Sequence, residues 1–441
     1  MHPLETVSPW LTGAPESRPP LEGERETDVT IIGAGFTGLS SALALRREGL
    51  RVVVLEAETA GFGASGRNAG HLTPTIGKDL PTLTRLYGRE RVRGLVHLVE
   101  TAIAHVESLI TTHAIDCEYE PVGTVVAAVH PRQHAQLERA AAAARAHGVP
   151  GELLEADEME RRGLPRAFTR GYFEPHGGIL DPGRYVHGLR AAALRAGADI
   201  YERSCVTAIE ASAPAVVHTA SGRVRCHSVV VATNAYTPSL GRLRSAGLRL
   251  NVQLFRTDPL TDRQLAAVDW RGREGIYTAH EMLESYRLTA DNRIVGGAKT
   301  VRYGFGGAAL PDTDASVEAR LEETFRQRFP ELGDVRIAQH WGGPIFLGLD
   351  FLPTVGRGGK HGNILHAVGY AGHGIALASY AGEMIADLLR GRDGPGSALW
   401  SRWRVPTPPE PLRWLAFHAL TRVLAGMDRS SDRGASRRVL S

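Results

Sequence analysis

A glycine-punctuated strand, turn and helix at residues 29–56 constrains this chain more than any other feature. Val29-Thr30-Ile31-Ile32 is a short apolar run of the kind that forms a buried strand. Gly33-x-Gly35-x-x-Gly38 follows, then the helical stretch LSSALALRREG, then a second strand, Val52–Leu55, that ends at Glu56. Gly33 allows the tight turn, Gly35 lets the backbone approach a pyrophosphate, and Gly38 lets the helix seat on the sheet. The helix, opened by Phe36 and Thr37, then points unpaired N–H groups and a positive dipole end at the diphosphate. Glu56, followed by Ala57, can accept hydrogen bonds from ribose hydroxyls and repels a 2′-phosphate, which disfavours NADP. A bare α/β turn can carry the same glycines, but strand, helix and acidic residue in register favour a dinucleotide site.

Composition narrows the class. The chain has 441 residues, 43% hydrophobic and 22% charged, enough for a large core and two or three domains. A net charge of +3, with scattered arginines and only Lys78, Lys299 and Lys360 as lysines, speaks against nucleic acid as a partner. Cys117, Cys205 and Cys226 are too few for a disulfide framework and wrongly spaced for an iron–sulfur cluster or a CxxC pair. The 18 histidines have no metal-like spacing, so no metal is expected. There is no secretory pattern at MHPLETVSPW and no apolar run near the roughly 18 residues of a membrane span. A cytoplasmic protein without a membrane partner is expected. Walker, HExxH and GxSxG motifs are absent, as is a second GxGxxG in strand–helix context.

Periodicity predicts helices at 89–112, 131–147, 184–196 and 375–389, and strands within 200–232, 276–303 and 364–367. Residues 1–26 read as a Pro- and Glu-rich tail pinned by Trp10. A Pro-rich linker at 405–411 leads to an apolar helix near 412–426. An amphipathic anchor is one reading of that helix. Packing on its own body or on a partner subunit is the favoured one.

The segment after Glu56, with Ser65-Gly-Arg67-Asn68-Ala69-Gly70-His71, leaves little room for a regular helix. Here the chain resembles the glycine/D-amino-acid oxidase superfamily of FAD enzymes, and within it the γ-glutamylputrescine oxidase type. The resemblance resumes at Val206-Thr-Ala-Ile209, Val229-Val-Val-Ala-Thr-Asn234, Tyr286-Arg-Leu-Thr-Ala-Asp-Asn-Arg-Ile294, Trp341-Gly-Gly, Asp350-Phe-Leu-Pro353 and Gly369-Tyr-Ala-Gly372-His373-Gly374-Ile375. It implies an α/β fold. A Rossmann-like FAD-binding domain (27–114, 181–245, 346–396) would be interleaved with an α+β substrate domain (115–180, 246–345) whose antiparallel sheet roofs the flavin. Residues 1–26 and 397–441 would flank them.

Carried over residue by residue, Gly33, Gly35, Gly38 and Glu56 serve the diphosphate and ribose. Ser65, Arg67, Asn68, Ala69, Gly70 and His71 run along the diphosphate and flavin, the Val206 backbone meets the adenine, and Asn234 is a further cofactor-binding candidate. Gly369, Gly372, His373, Gly374 and Ile375 meet the pyrimidine end, where a Gly-rich helix start also suits the charge of reduced flavin. The resemblance implies oxidation of a C–N bond of a small amine or amino acid by hydride transfer to flavin N5, with dioxygen or an electron carrier as acceptor. A non-catalytic FAD-binding subunit is the remaining alternative, and oligomeric state is left open. Non-covalent FAD is expected, because Arg67 stands where histidyl-linked relatives carry His, and no Cys follows Cys226. Ala376 stands where sarcosine oxidase-like members carry a carboxylate-binding Lys, which favours amines over simple amino acids. Tyr286, Arg287 and Tyr303 are candidates for substrate contacts. Lys299, after two glycines in Ile294-Val-Gly-Gly-Ala-Lys299, is the candidate cation for activating dioxygen, with His373 beside it as a catalytic candidate.

Overall fold

The computed structural model describes residues 8–400 and 404–436. The first sheet runs in the order 354–358, 364–368, 222–231, 23–32, 52–55 and 199–201. Its inner strands are parallel, and the antiparallel strand 354–358 closes one edge. A two-strand meander, 208–210 and 215–218, extends from strand 222–231. The inner strands are apolar on both faces, as a doubly covered parallel sheet requires. Val52–Leu55 is buried at every position.

Two helices sit on one face of this sheet. Phe36–Arg47 leaves strand 23–32, and Gly374–Arg390 leaves strand 364–368. Those strands run parallel within one sheet, so both helices begin at the same edge. They cross closely at Gly382, where a Cβ would lie 2.3 Å from the Ser40 carbonyl oxygen. That contact fixes the relative position of two helix N-termini, the edge where open α/β sheets bind ligands.

The second sheet has the order 337–347, 248–257, 294–303, 284–288, 275–278, 124–128, 170–174 and 152–154. All its joins are antiparallel except one, between 275–278 and 124–128, which is parallel. That join brings together two chain segments distant in sequence, so no hairpin dictates its direction. One face carries an aromatic-rich core with Phe255, Tyr286, Phe325 and Phe329. The other faces the first lobe.

Two expectations about the termini need correction. Strand 23–32 begins inside the stretch read as a tail, and Gly23–Thr27 pair with Gly222–Cys226. Leu21 is in the core, while Trp10 pins the stretch as expected, buried and donating Nε1–H to the Asn68 carbonyl at 2.9 Å. Those partners lie so far along the chain that local composition could not reveal them. The C-terminal helix spans Leu412–Ser436, ten residues beyond its expected end. Its added turns are held by Asp428, which accepts from the backbone N–H groups of Glu281 and Met282 at 3.0 and 2.9 Å.

Gly382→Ala should force the two helices apart and destabilise the protein by about 1–3 kcal/mol, the usual cost of overpacking a tight contact. Thermal or urea unfolding checks this; an unchanged midpoint would mean that the crossing is not tightly set.

Candidate functional site

The turn after strand 23–32 is built without spare room. A Cβ at Gly33, where φ is +102°, would lie 2.9 Å from the Ala232 oxygen; at Gly38 it would lie 1.8 Å from the Gly33 oxygen. At Gly35 it would meet Ser65 Oγ at 2.7 Å. Ser65 Oγ accepts the Phe36 N–H at 2.9 Å, so a hydroxyl from the 64–71 loop sits at the start of the helix. Glu56 accepts from Ala34 N at 2.7 Å and from Glu58 N at 3.1 Å, and burial pushes its carboxyl pKa up. Ala57 lies exposed in the turn beyond it. Val206 is buried in the cluster that holds Leu55.

The second helix start is tied to the first. Thr37 Oγ1 and the Tyr370 hydroxyl are 2.8 Å apart, and Asn234 Oδ1 accepts from Gly369 N at 3.0 Å. Gly369 and Gly372 have φ of +85° and +86°, and a Cβ at either would meet nothing nearer than 3.6 Å. These glycines are thus required by conformation, and the space above them is open. No side chain caps the helix opened by Gly374 and Ile375, which leaves its first N–H groups directed at that space. His373 bonds the Ala371 oxygen at 3.2 Å through Nδ1, and burial lowers its pKa.

The 64–71 loop bridges the lobes. Asn68 donates to the oxygens of Ala64 and Ser65 and accepts from Gly70 N. Arg67 behaves differently from expectation. Its guanidinium is buried and bonded to Asp312 Oδ2 at 2.7 Å, the Gly342 oxygen at 2.8 Å and the Phe62 oxygen at 2.7 Å. The Trp341 indole donates to the Arg67 carbonyl. Its side chain is therefore a bolt to the second sheet.

Ala69, Gly70 and His71 pass under the second sheet. Arg287 donates Nε–H to the Ala69 carbonyl and lies over Gly70, with its guanidinium 5.1 Å from the Trp10 ring. Desolvation lowers its pKa to about 10. The Arg287 Nη2 and both ring nitrogens of His71 are buried without a partner. Such atoms are costly unless something fills the space beside them. The His71 ring lies 4.8 Å from Tyr277, whose ring lies 6.1 Å from His373. Sequence reasoning missed Tyr277, and Glu174 as well. Glu174 faces Thr124 across the sheet and is pushed up to about 7, chiefly by burial. Only their alternation with buried neighbours in short strands marks either one, and that signal does not say which face is which.

Strand alternation separates the three substrate candidates. Arg287 is on the cleft side. Tyr286 is on the other, packed 5.2 Å from Phe329, with its hydroxyl donating to Glu284. Tyr303 packs on Phe417 and donates to Glu410 Oε1 at 2.5 Å, so the C-terminal helix covers it.

Lys299 is also displaced from its expected place. Between the pairs Val252–Val301 and Leu254–Gly297 a single residue opposes three, and Ala298 and Lys299 take φ of +72° and +50°. This bulge turns the Lys299 side chain to the Tyr286 face. There its ammonium bonds Glu284 Oε1 at 2.7 Å and Asp432 Oδ2 at 3.1 Å. Arg328 holds both Glu284 oxygens at 2.8 and 2.9 Å and reaches Asp432 at 2.5 Å. Glu284 is held down to about 2 against its own desolvation by these cations. His280, Glu284 and Asp432 have the spacing of a metal site. Two carboxylates facing a guanidinium and an ammonium already balance in charge, however, so the cluster is an ion network that clamps the C-terminal helix.

Two predictions follow from this geometry. Lys299→Met should lower stability by about 1.5–3 kcal/mol, the range for a charged hydrogen bond, and leave flavin reoxidation within threefold of wild type. A tenfold slower reoxidation in stopped flow would put the ammonium back beside the cofactor. His71 is depressed to about 3 in the folded state, so the unfolded chain gains the proton first as pH falls below about 6.5. Stability should drop between pH 6.5 and 3, and His71→Gln should flatten that loss in a melting-temperature series; an unaltered slope would contradict the burial of a neutral imidazole.

The cradle fits FAD. Glycines crowd the first helix start, open space lies above the second, and orphaned polar atoms of His71 and Arg287 face the gap between the lobes. Comparison with known proteins agrees. The DAO family, described as FAD dependent oxidoreductase, matches residues 28–388. The γ-glutamylputrescine oxidoreductase of Escherichia coli K12 is 35% identical over 373 residues, which span 82% of this chain and 84% of that protein. A probable oxidoreductase of Haemophilus influenzae is 30% identical over 382 residues, 85% of each chain. The crystal structure of glycine oxidase from Geobacillus kaustophilus superposes with a TM-score of 0.71 at 22% identity, covering 84% of this chain and 96% of that one. With cradle, fold and sequence in accord, the chain belongs to the DAO family of FAD-dependent oxidoreductases.

Proposed function

We propose that this enzyme oxidises the C–N bond of an amine, preferring an acylated diamine such as a γ-glutamylated one to glycine or sarcosine. The observation that carries the reading is the 35% identity, over most of both chains, with a γ-glutamylputrescine oxidoreductase. Ala376 supports it, being buried in the helix that leaves the Gly-rich loop. It offers no cation to a substrate carboxylate.

Bound FAD would supply the hydride acceptor. The chain's own residues do the rest. In this reading the FAD-binding segments are 27–114, 181–245 and 346–396, and the substrate segments are 115–180 and 246–345. Gly33, Gly35 and Gly38 would hold the diphosphate, and Glu56 the ribose. The N-terminal turn of helix 374–390 faces the pyrimidine edge and favours negative charge there. Arg287 and neutral His71 hold polar atoms toward the cofactor from the opposite side, and Tyr277 and the buried walls exclude water. The substrate ammonium must lose a proton before its α C–H becomes reactive. Glu174 is the candidate acceptor: it lies in the sheet row Gly275–Thr124–Glu174, whose Gly275 sits against His71, and burial raises its carboxyl pKa to about 7. FAD is held non-covalently, since Arg67, at the histidyl position, is locked to Asp312.

Dioxygen is the proposed acceptor. A second reading, an electron carrier in its place, is favoured by one observation: Lys299 is drawn into the ion network and away from the cleft. Anaerobic reduction followed by mixing with air separates the two.

The test of substrate is a panel of amines and amino acids read by flavin bleaching at equal concentration. γ-Glutamylputrescine or an acylated diamine should give the highest kcat/KM, at least about tenfold above sarcosine, a difference of roughly 1.4 kcal/mol in transition-state binding. A panel led by sarcosine or glycine would refute the reading. Acid precipitation should leave a colourless pellet and a yellow supernatant; yellow in the pellet would refute non-covalent binding.

A further inference from the structure

The C-terminal helix is built inside out. Its inward face carries Phe417, Thr421, Leu424, Asp428, Ser431 and Asp432, four of them polar, and both aspartates are consumed by the body of the protein. Its outward face is apolar. Leu412, Leu415, Leu420, Val423 and Met427 are each 53–60% exposed, and Trp414 is 36% exposed. Phe305, 58% exposed, lies beside the start of this helix, because Gly306 N donates to Glu410. Among the described residues only three other large hydrophobics are comparably exposed, Leu86, Leu349 and Val405. The strip runs from Leu412 to Met427, a span of about 22 Å at the helical rise. A contiguous apolar strip of that kind marks a contact surface.

Charge identifies the occupant. The helix has no acidic residue before Asp428, and Asp428 and Asp432 both point inward. Its outer surface therefore presents cations alone, with Arg422 and Arg429 exposed. A second copy fits this poorly. Antiparallel pairing sets like flanks of two helices against each other, which would oppose arginine to arginine, and a strip one helix wide falls short of the roughly 20–30 residues per side of a stable interface. We propose that this helix lies on an anionic lipid surface, with Leu412, Leu415, Leu420, Val423 and Met427 in the acyl boundary and Arg422 and Arg429 at the headgroups. No helix among the described residues is long and apolar enough to cross a membrane, so the contact is peripheral. It replaces the expectation that this helix packs its apolar side on its own body, and it is independent of the substrate reading.

The test is co-sedimentation of the full-length flavoprotein with vesicles of phosphatidylcholine alone or with 30% phosphatidylglycerol added. At low salt most of the protein should pellet with the anionic vesicles and little with the neutral ones. Leu420→Glu with Val423→Glu should reduce the bound fraction at least tenfold, while flavin content and melting temperature stay as in wild type. Arg422→Gln with Arg429→Gln, which leaves the apolar strip intact, should weaken binding and its salt dependence. Failure to bind anionic vesicles would overturn the proposal. So would a concentration-dependent dimer in sedimentation velocity that Leu420→Glu with Val423→Glu dissolves, since a second copy would then cover the strip.

Discussion

The site rests on the crossing of two helices at Gly382. Because no side chain separates it from Ser40, helices 36–47 and 374–390 lie close enough to present their N-termini together at one edge of the parallel sheet. Each terminus carries roughly half a positive charge and several unpaired N–H groups. In the proposed reading they stand at the two ends of a long cofactor, one toward its diphosphate and the other toward its electron-accepting ring. The Thr37–Tyr370 and Asn234–Gly369 bonds lock the loops that precede them. The second sheet closes the other side, and Arg67 and Trp341 join it to the first lobe at the 64–71 loop.

Burial does most of the electrostatic tuning. Desolvation holds His71 neutral, lowers Arg287 to about 10 and raises Glu174 to about 7. Water-free surroundings make each of these groups more responsive to a charge that appears beside it. On the far face of the same sheet the logic reverses. Glu284, though fully enclosed, stays ionised because Arg328 and Lys299 surround it. The same five-residue sheet strand thus supplies Arg287 to the cleft and Glu284 to the clamp on the C-terminal helix.

The strand, turn and helix that open the first lobe were legible in the sequence, because their glycines answer to local constraints: a turn, a close approach, a helix start. Gly33, Gly35 and Gly38 could be placed in that turn for that reason. The substrate half was not, because facing in a sheet depends on register. One bulge at Ala298–Lys299 reverses a side chain, and no residue in Ile294-Val-Gly-Gly-Ala-Lys299 announces it. Tyr286 and Arg287 are neighbours in sequence and lie on opposite faces. Residues 23–26 and the last turns of the C-terminal helix were misread for a related reason. Their partners, strand 222–231 and the 280–284 turn, are far away along the chain.

The account turns on one placement: an isoalloxazine ring between the Gly369–Gly374 loop and the face that carries Arg287, His71 and Tyr277. A crystal structure of the flavin-loaded enzyme tests it directly. The account predicts density for one FAD per chain, with the pyrimidine edge within hydrogen-bond distance of the N–H groups that open helix 374–390 and the diphosphate on Gly33–Gly38. A flavin ring seated elsewhere, or one whose nearest cation is Lys299, would contradict it.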